Sequence, residues 1–473
     1  MAQITDPSLR NKTIYSVYVR NHSKSGDFEG LIADLERISD LGVDIIWLLP
    51  IYPIGVERRK GALGSPYSIS DYRAINPEIG TINDFSNFIE AARKRGLAVI
   101  IDIVFNHTSV DSLMKRVHPD WFRKNPNGMP GSRVGEWKDV IELDYSSKEL
   151  WNYQIESLKG WIMQGVDGFR CDVAPLVPLP FWFDARDACS RMNPDTIWIA
   201  ETVDTSFIHT IRRMGFDCLS DCELMEVFDL SYDYDVYPEW VRLIHGEIDL
   251  SHYIDRLRVQ ESTHRESDLK LRFLENHDRI RAAKLLVSNL TDKREAPADS
   301  PRAQCPAPAE LHEGALAAWT AFSLFQKGAA LIYAGQEYMV SDKPSLFNRD
   351  PIDWSVKDDK NCIRHQSLLK QFIGLKKSGI VRDGYFWYPP APAGYIAAAY
   401  ERRDSNSRLI GLRIGVFNVE SQSPCRFDIG ANWSELRLGA VLQNPLQSSK
   451  TTLSDGMLTI DNRITILDWG LTD

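Results

Sequence analysis

Basic residues are the minority charge in this 473-residue sequence: 55 Lys and Arg stand against 65 Asp and Glu, a net charge of −10. A protein that binds a phosphate backbone gains affinity by releasing counterions with a surplus of cations, so a nucleic-acid partner is excluded as an expectation. Cysteine is also scarce. The seven present are odd in number and show no Cys-x-x-Cys spacing, which reads neither as a disulfide framework nor as a zinc site. No apolar run reaches the ~18 residues that a membrane span requires. The opening MAQITDPSLRNK lacks the basic-then-apolar pattern of a secretory leader. The expectation is a soluble protein of the reducing cytoplasm with no membrane partner. No repeat is evident either, and the oligomeric state is left open.

What the sequence has is a globular balance, 43% hydrophobic and 25% charged, over a length that allows a barrel-sized domain with attachments. Aromatics are plentiful, with 13 Trp, 17 Tyr and 19 Phe. Most such rings are core; the remainder matter because sugar rings present apolar faces that stack on aromatics.

Short apolar runs alternate with amphipathic stretches through the first three-quarters of the chain. Ile14–Val19, Val43–Leu49, Leu97–Phe105, Val166–Val173, Thr196–Ala200, a short run at Asp217–Leu219, Leu271–Leu274 and Ala330–Tyr333 read as strands. Phe28–Leu41, Thr81–Arg95, Leu150–Gln164, Phe181–Met192 and Ala315–Phe325 read as helices between them. Strands separated by helices predict a parallel sheet, closed at this length into a (β/α)8 barrel. The barrel is expected over residues 1–107 and 144–378. The polar stretch 108–143, with NPNGMPGS inside it, is a short insertion after the third strand. Lys293–Glu310, rich in Pro and Ala, reads as a surface loop. From 379 to 473 the helices cease, and short β-type runs predict a separate all-β sandwich domain.

Barrel enzymes carry their chemistry where strands run into loops at the C-terminal face. Four segments there hold unusual polar residues. Ile101–His107, IDIVFNH, puts Asp102, Val104 and Asn106 on one face of a strand; Asp102 alone reads equally well as a structural acid. Val166–Val173, VDGFRCDV, places Arg170 and Asp172 two apart, so that a guanidinium favours an ionised carboxylate or a buried structural pair. In IWIAE an apolar strand ends on Glu201, a setting that favours its protonated form. LRFLENHD delivers Asn276, His277 and Asp278 directly after a strand, with no second histidine at zinc-ligand spacing. Together they offer a proton donor, a carboxylate with its arginine and a third acid at one rim. Glycoside hydrolysis needs such a set.

These four segments, in this order, resemble the signature regions of the α-amylase family of glycoside hydrolases (family 13), and the resemblance runs from IYSVYV at the first strand to the C-terminal β domain. It implies a retaining double displacement on α-glucosidic bonds, with Asp172 as nucleophile, Glu201 as acid/base and Asp278 as the third carboxylate. Retention implies a separation of ~5–5.5 Å between the two reacting carboxyls. By the same resemblance Arg170 orients Asp172, His107 and His277 donate to sugar hydroxyls, and Asp102 is structural. Tyr67 of SPYSISDY stacks on the sugar and Asp71 supports it, while Asn106 is a further supporting residue. The implied substrate is an α-linked oligosaccharide or polysaccharide.

The sequence departs from the family pattern in three places. VAPLVPLP follows Asp172 where many members carry Lys-His, Ser65 stands where many have His, and the insertion is short. The chemistry requires no cofactor. The resemblance allows calcium, for which Asn106 and Asp144 alone stand in the expected places, so calcium dependence stays open. YDYDVYP at 232–238 reads either as aromatics lining acceptor subsites or as a packed loop. A transglycosylase or an α-1,6-acting glucosidase would use the same residues. The family's non-catalytic branch loses the acids that this chain keeps.

Overall fold

The computed structural model describes residues 5–125, 127–135, 137–286, 308–420, 424–436, 440–453 and 455–471, with backbone alone for 308–313. Eight parallel strands close into a barrel: β1 Thr13–Val17, β2 Ile45–Leu48, β3 Ala98–Ile103, β4 Gly168–Cys171, β5 Ile197–Ala200, β6 Leu230–Tyr232, β7 Leu269–Arg272 and β8 Ala329–Tyr333. Each pairs with its neighbours in chain order, and β8 returns to β1 through Thr13↔Ala330. The expected barrel is therefore present, with helices between its strands. The helix Ile82–Arg93 shows why such segments form. Thr81 and Asp84 make a capping box, and Phe85, Phe88, Ile89 and Ala92 recur at helical spacing on the buried face.

Three expectations need correction. The sixth strand is Leu230–Tyr232, not Asp217–Leu219. The latter is extended coil leading into a short helix capped by Ser220 and Glu223. The true strand was concealed because Asp229, Ser231 and Asp233 interrupt its apolar run. Asp229 is held there by Arg186 at 2.7 Å and by the Trp198 amide at 2.9 Å. Phe28–Leu41 is two helices, Phe28–Ile32 and Leu35–Asp40. They break at Asp34, whose carboxylate binds His22 and Arg37 at 2.7 and 2.6 Å. The expected loop 293–310 lies outside the described residues over 293–307, and from Pro308 onwards it is already helix.

After β3 the chain enters the insertion, rooted by a two-stranded antiparallel pair, His107–Ser109 with Val140–Glu142. Following the barrel comes a six-stranded antiparallel sheet in the order β9 Tyr385–Trp387, β10 Tyr395–Arg403, β11 Leu409–Asn418, β16 Ile464–Trp469, β13 Val441–Asn444 and β14 Ser449–Thr452. A separate pair, β12 Cys425–Asp428 with β15 Met457–Ile460, covers it. The strand period of two divides the cores. Tyr395, Ala397 and Ala399 of β10 join Trp433, Leu442 and Leu458, whereas Ile396, Ala398 and Tyr400 join the barrel core. Tyr400 donates its hydroxyl to the Phe325 carbonyl at 2.9 Å. Phe417 packs among Phe322, Phe325 and Phe372, with centroids 5.5, 5.5 and 6.5 Å away. No helix among the described residues is long and apolar enough to cross a membrane.

Because Phe417 joins sheet to barrel while fully buried, Phe417→Ala is expected to lose about 3–5 kcal/mol of stability, read from urea unfolding. A loss below about 1 kcal/mol would mean that this junction contributes little.

Candidate active site

The register of the barrel assembles the site. Asp102 of β3 lies opposite Arg170 of β4, and Arg170 lies opposite Ile199 of β5, two residues before Glu201. Arg170 is wholly buried. Its Nη1 donates to Asp102 Oδ1 and to Asp172 Oδ1, each at 2.9 Å. Its Nη2 stands 2.7 Å from Glu201 Oε1, an ion pair out of line for a hydrogen bond. Three carboxylates from three strands thus share one guanidinium. The rings of Trp47, Tyr67 and Tyr232 surround that cation at 5.2, 5.8 and 5.4 Å. Burial works against the charge, but Asp102 and Glu201 outweigh it and Arg170 remains a cation.

Burial, and then the facing Glu201 charge, push the Asp172 carboxyl well above the ordinary carboxylate range, against Arg170. Burial likewise raises Asp102 to about 6, with Arg170 and His277 opposing. Asp278 goes the other way: burial would raise it, but His277 beside it and Arg170 hold it below its usual value. Glu201 does not sit in the apolar setting that its strand suggested. Besides Arg170 it accepts the Val173 amide at 2.9 Å. That amide is aimed by a left-handed backbone at Val173, φ 40°, an uncommon and strained conformation for a β-branched residue.

Tyr67 stacks on His277 with centroids 5.5 Å apart and planes 15° from parallel. Its hydroxyl lies 2.6 Å from His277 Nε2 and donates to Asp102 Oδ2 at 3.1 Å. His277 Nε2 is also 3.2 Å from Asp278 Oδ2. Burial pushes His107 down to about 4, so its ring is neutral near pH 7. With the Asn106 amide donating to Nδ1 at 3.2 Å, the ring proton sits on Nε2.

A cavity of about 360 Å³ opens on Tyr67, His107, Asp172, Glu201 and Asp278, with Ser65 in its wall. Arg170, Asp102 and His277 stand behind that surface and hold it. Asp71 is not brought to it: its carboxylate accepts the Arg73 amide at 3.0 Å in a local turn. Asn106 acts behind His107, and its carbonyl accepts the Leu143 amide at 3.0 Å. The tyrosine-rich stretch divides. Tyr232, Tyr234 and Tyr237 are all buried, and of the three Tyr234 lines the cavity and accepts the Asn276 amide at 2.9 Å. Lys60, Trp137, Asp139, Phe207, Arg279 and Phe347 also line the cavity and were missed. Trp137 was the detectable one, an aromatic inside a polar insertion.

The two calcium candidates are each engaged locally. Asn106 spends its amide on His107, and Asp144 Oδ1 accepts the Ser146 amide at 3.0 Å. The insertion's buried acid, Glu142, is matched by Arg133 at 2.6 Å. Among the described residues no three His, Cys, Asp or Glu side chains gather as a metal site.

The family model described as "Alpha amylase, catalytic domain" matches residues 14–410. A crystal structure of an alpha-amylase from Lactobacillus plantarum is 38% identical, covers 98% of this chain and 100% of its own, and superposes with a TM-score of 0.84. The maltogenic alpha-amylase AmyB from Thermotoga neapolitana is 30% identical over 98% and 100% of the two chains, with a TM-score of 0.79. Among curated proteins, an alpha-1,4-glucan:maltose-1-phosphate maltosyltransferase of Chlorobaculum tepidum is 32% identical over 42% of this chain and 33% of its own length. The chain thus spans about a third of that relative.

Replacing Arg170 by Met leaves three buried acids without their cation, a loss expected to reach about 3–5 kcal/mol at pH 7.5. The cost should shrink at pH 5.5, because acids whose folded pKa is raised take up protons as pH falls and relieve the repulsion. Equal losses in urea unfolding at both pH values would show that charge is not what Arg170 supplies.

Proposed function

This chain belongs to the α-amylase family, and on that premise we propose that it is a retaining hydrolase of α-glucans and α-linked oligosaccharides. The observation that carries the reading is the clamp: Asp172 and Glu201 meet one buried guanidinium beside a sugar-sized cavity whose wall carries Tyr67. The glycone sits between Tyr67, His107 and Asp278. Glu201 gives its proton to the glycosidic oxygen as the C1–O bond breaks, and an Asp172 oxygen bonds to C1. In the second step Glu201 takes a proton from water, whose oxygen displaces Asp172 from C1. Positive charge growing at C1 lies against Asp172 and favours its ionised form, opposing the burial that raises it.

A second reading, transfer of the glycosyl group to another sugar, is supported by the similarity to maltosyltransferases and by apolar side chains past Glu201, Val203 and Phe207. Such a wall favours a sugar face over water. We further place the protein in the cytoplasm, on the scarcity and odd number of its cysteines.

Asp172→Asn is expected to lower kcat on maltooligosaccharides by on the order of 10³-fold or more, with the native circular dichroism spectrum retained. The first sugar released by the native enzyme should be the α-anomer in a fresh NMR time course, and a β-anomer would end the retaining assignment. With maltotriose, free reducing ends should exceed redistributed chain lengths; the reverse would favour the transferase. Both steps run on carboxylates, so turnover is expected to survive EDTA, and its loss, restored by calcium, would contradict that.

A further inference from the structure

The two ends of the cavity are unlike. On the hydrolytic reading Glu201 delivers its proton to the leaving oxygen, which puts the departing part of the substrate on the Glu201 side of a cavity whose lining also includes Val203 and Phe207. The retained sugar, and anything attached to its O4, lies on the side of Tyr67. On that side three loops are tied together. The segment after β2 is zipped to the one after β8: the Leu63 amide donates to the Phe347 carbonyl at 3.0 Å, and the Ala62 amide to Asn348 Oδ1 at 2.9 Å. Gly61 makes this approach possible, since it adopts φ +63° and an added Cβ would fall 2.7 Å from Phe347. The inserted segment joins through Lys60, whose Nζ is 2.9 Å from Asp139 Oδ1 and 5.9 Å from the Phe347 ring centroid. Asp139 is only 4% exposed at its side chain, and its carbonyl accepts the hydroxyl of Ser68, next to Tyr67.

We infer that the Lys60–Asp139 pair is a specificity latch that closes the glycone side, so that the enzyme accepts the non-reducing ends of α-glucan chains and not their interiors. This rests on the hydrolytic reading above. Lys60, Asp139 and Phe347 all line the cavity itself, so the pair stands where a further donor sugar would have to pass. At about 360 Å³ the cavity is near the small end of ligand pockets, a size that suits a chain terminus. An ion pair with one buried member is a firmer barrier than two exposed side chains, because moving Lys60 aside leaves Asp139 uncompensated.

The test compares maltoheptaose labelled at its reducing end with the same sugar blocked by an ethylidene bridge across O4 and O6 of its non-reducing end. The native enzyme should cut the free sugar and act on the blocked one at least about a hundredfold more slowly. Lys60→Ala and Asp139→Asn should each raise the blocked-to-free rate ratio on the order of tenfold. Equal native rates on the two sugars, or a ratio that neither substitution moves, would overturn the latch while leaving the hydrolytic reading intact. If the native enzyme cut neither sugar, the hydrolytic reading would fall and the latch with it.

Discussion

A single buried cation organises this molecule. Arg170 has no water to lean on, and its charge is tolerable only because Asp102, Asp172 and Glu201 converge on it from neighbouring strands. Buried ionic clusters contribute little net stability compared with apolar packing of the same volume. What they provide is position. A carboxylate bonded at 2.9 Å to a wholly buried guanidinium is held against the ångström-scale drift that would cost an enzyme much of its rate. The barrel strands around β4 can be seen as the scaffold that such a clamp demands.

A second polar cluster lies between β6, β7 and the helix Leu250–Thr263. Asp233 and Gln260 meet Arg272, and Asp235 meets Lys270. The YDYDVYP stretch runs from the end of β6 through a turn into the helix Tyr237–His245. The two aspartates turn toward these cations, while Tyr234 between them faces the cavity. One sequence segment therefore serves both the internal charge balance and the site wall.

Much of this was legible in the sequence for physical reasons. Carboxylates at the ends of apolar strands are costly unless used, which marked Asp102, Asp172 and Glu201. The fourth motif then marked Asp278, and the family resemblance of SPYSISDY marked Tyr67. The sixth strand escaped because Asp229 and Ser231 mimic a loop, and their partners Arg186 and Trp198 are far away in the chain. Asp71 resembled a site residue by motif position but closes its own turn. Lys60, Asp139 and Phe347 carry no local signal at all. Each belongs to a different loop, and their meaning arises only when closure of the barrel sets those loops side by side.

The left-handed turn at Val173 links the two principal acids by a route other than Arg170. Asp172 ends one side of the peptide whose amide is bonded to Glu201. The two acids are therefore joined through a few covalent bonds of one peptide and a single hydrogen bond. The strain held in that residue works like a bent spring clip, and a chain relaxed at this position would keep both acids yet lose their common alignment.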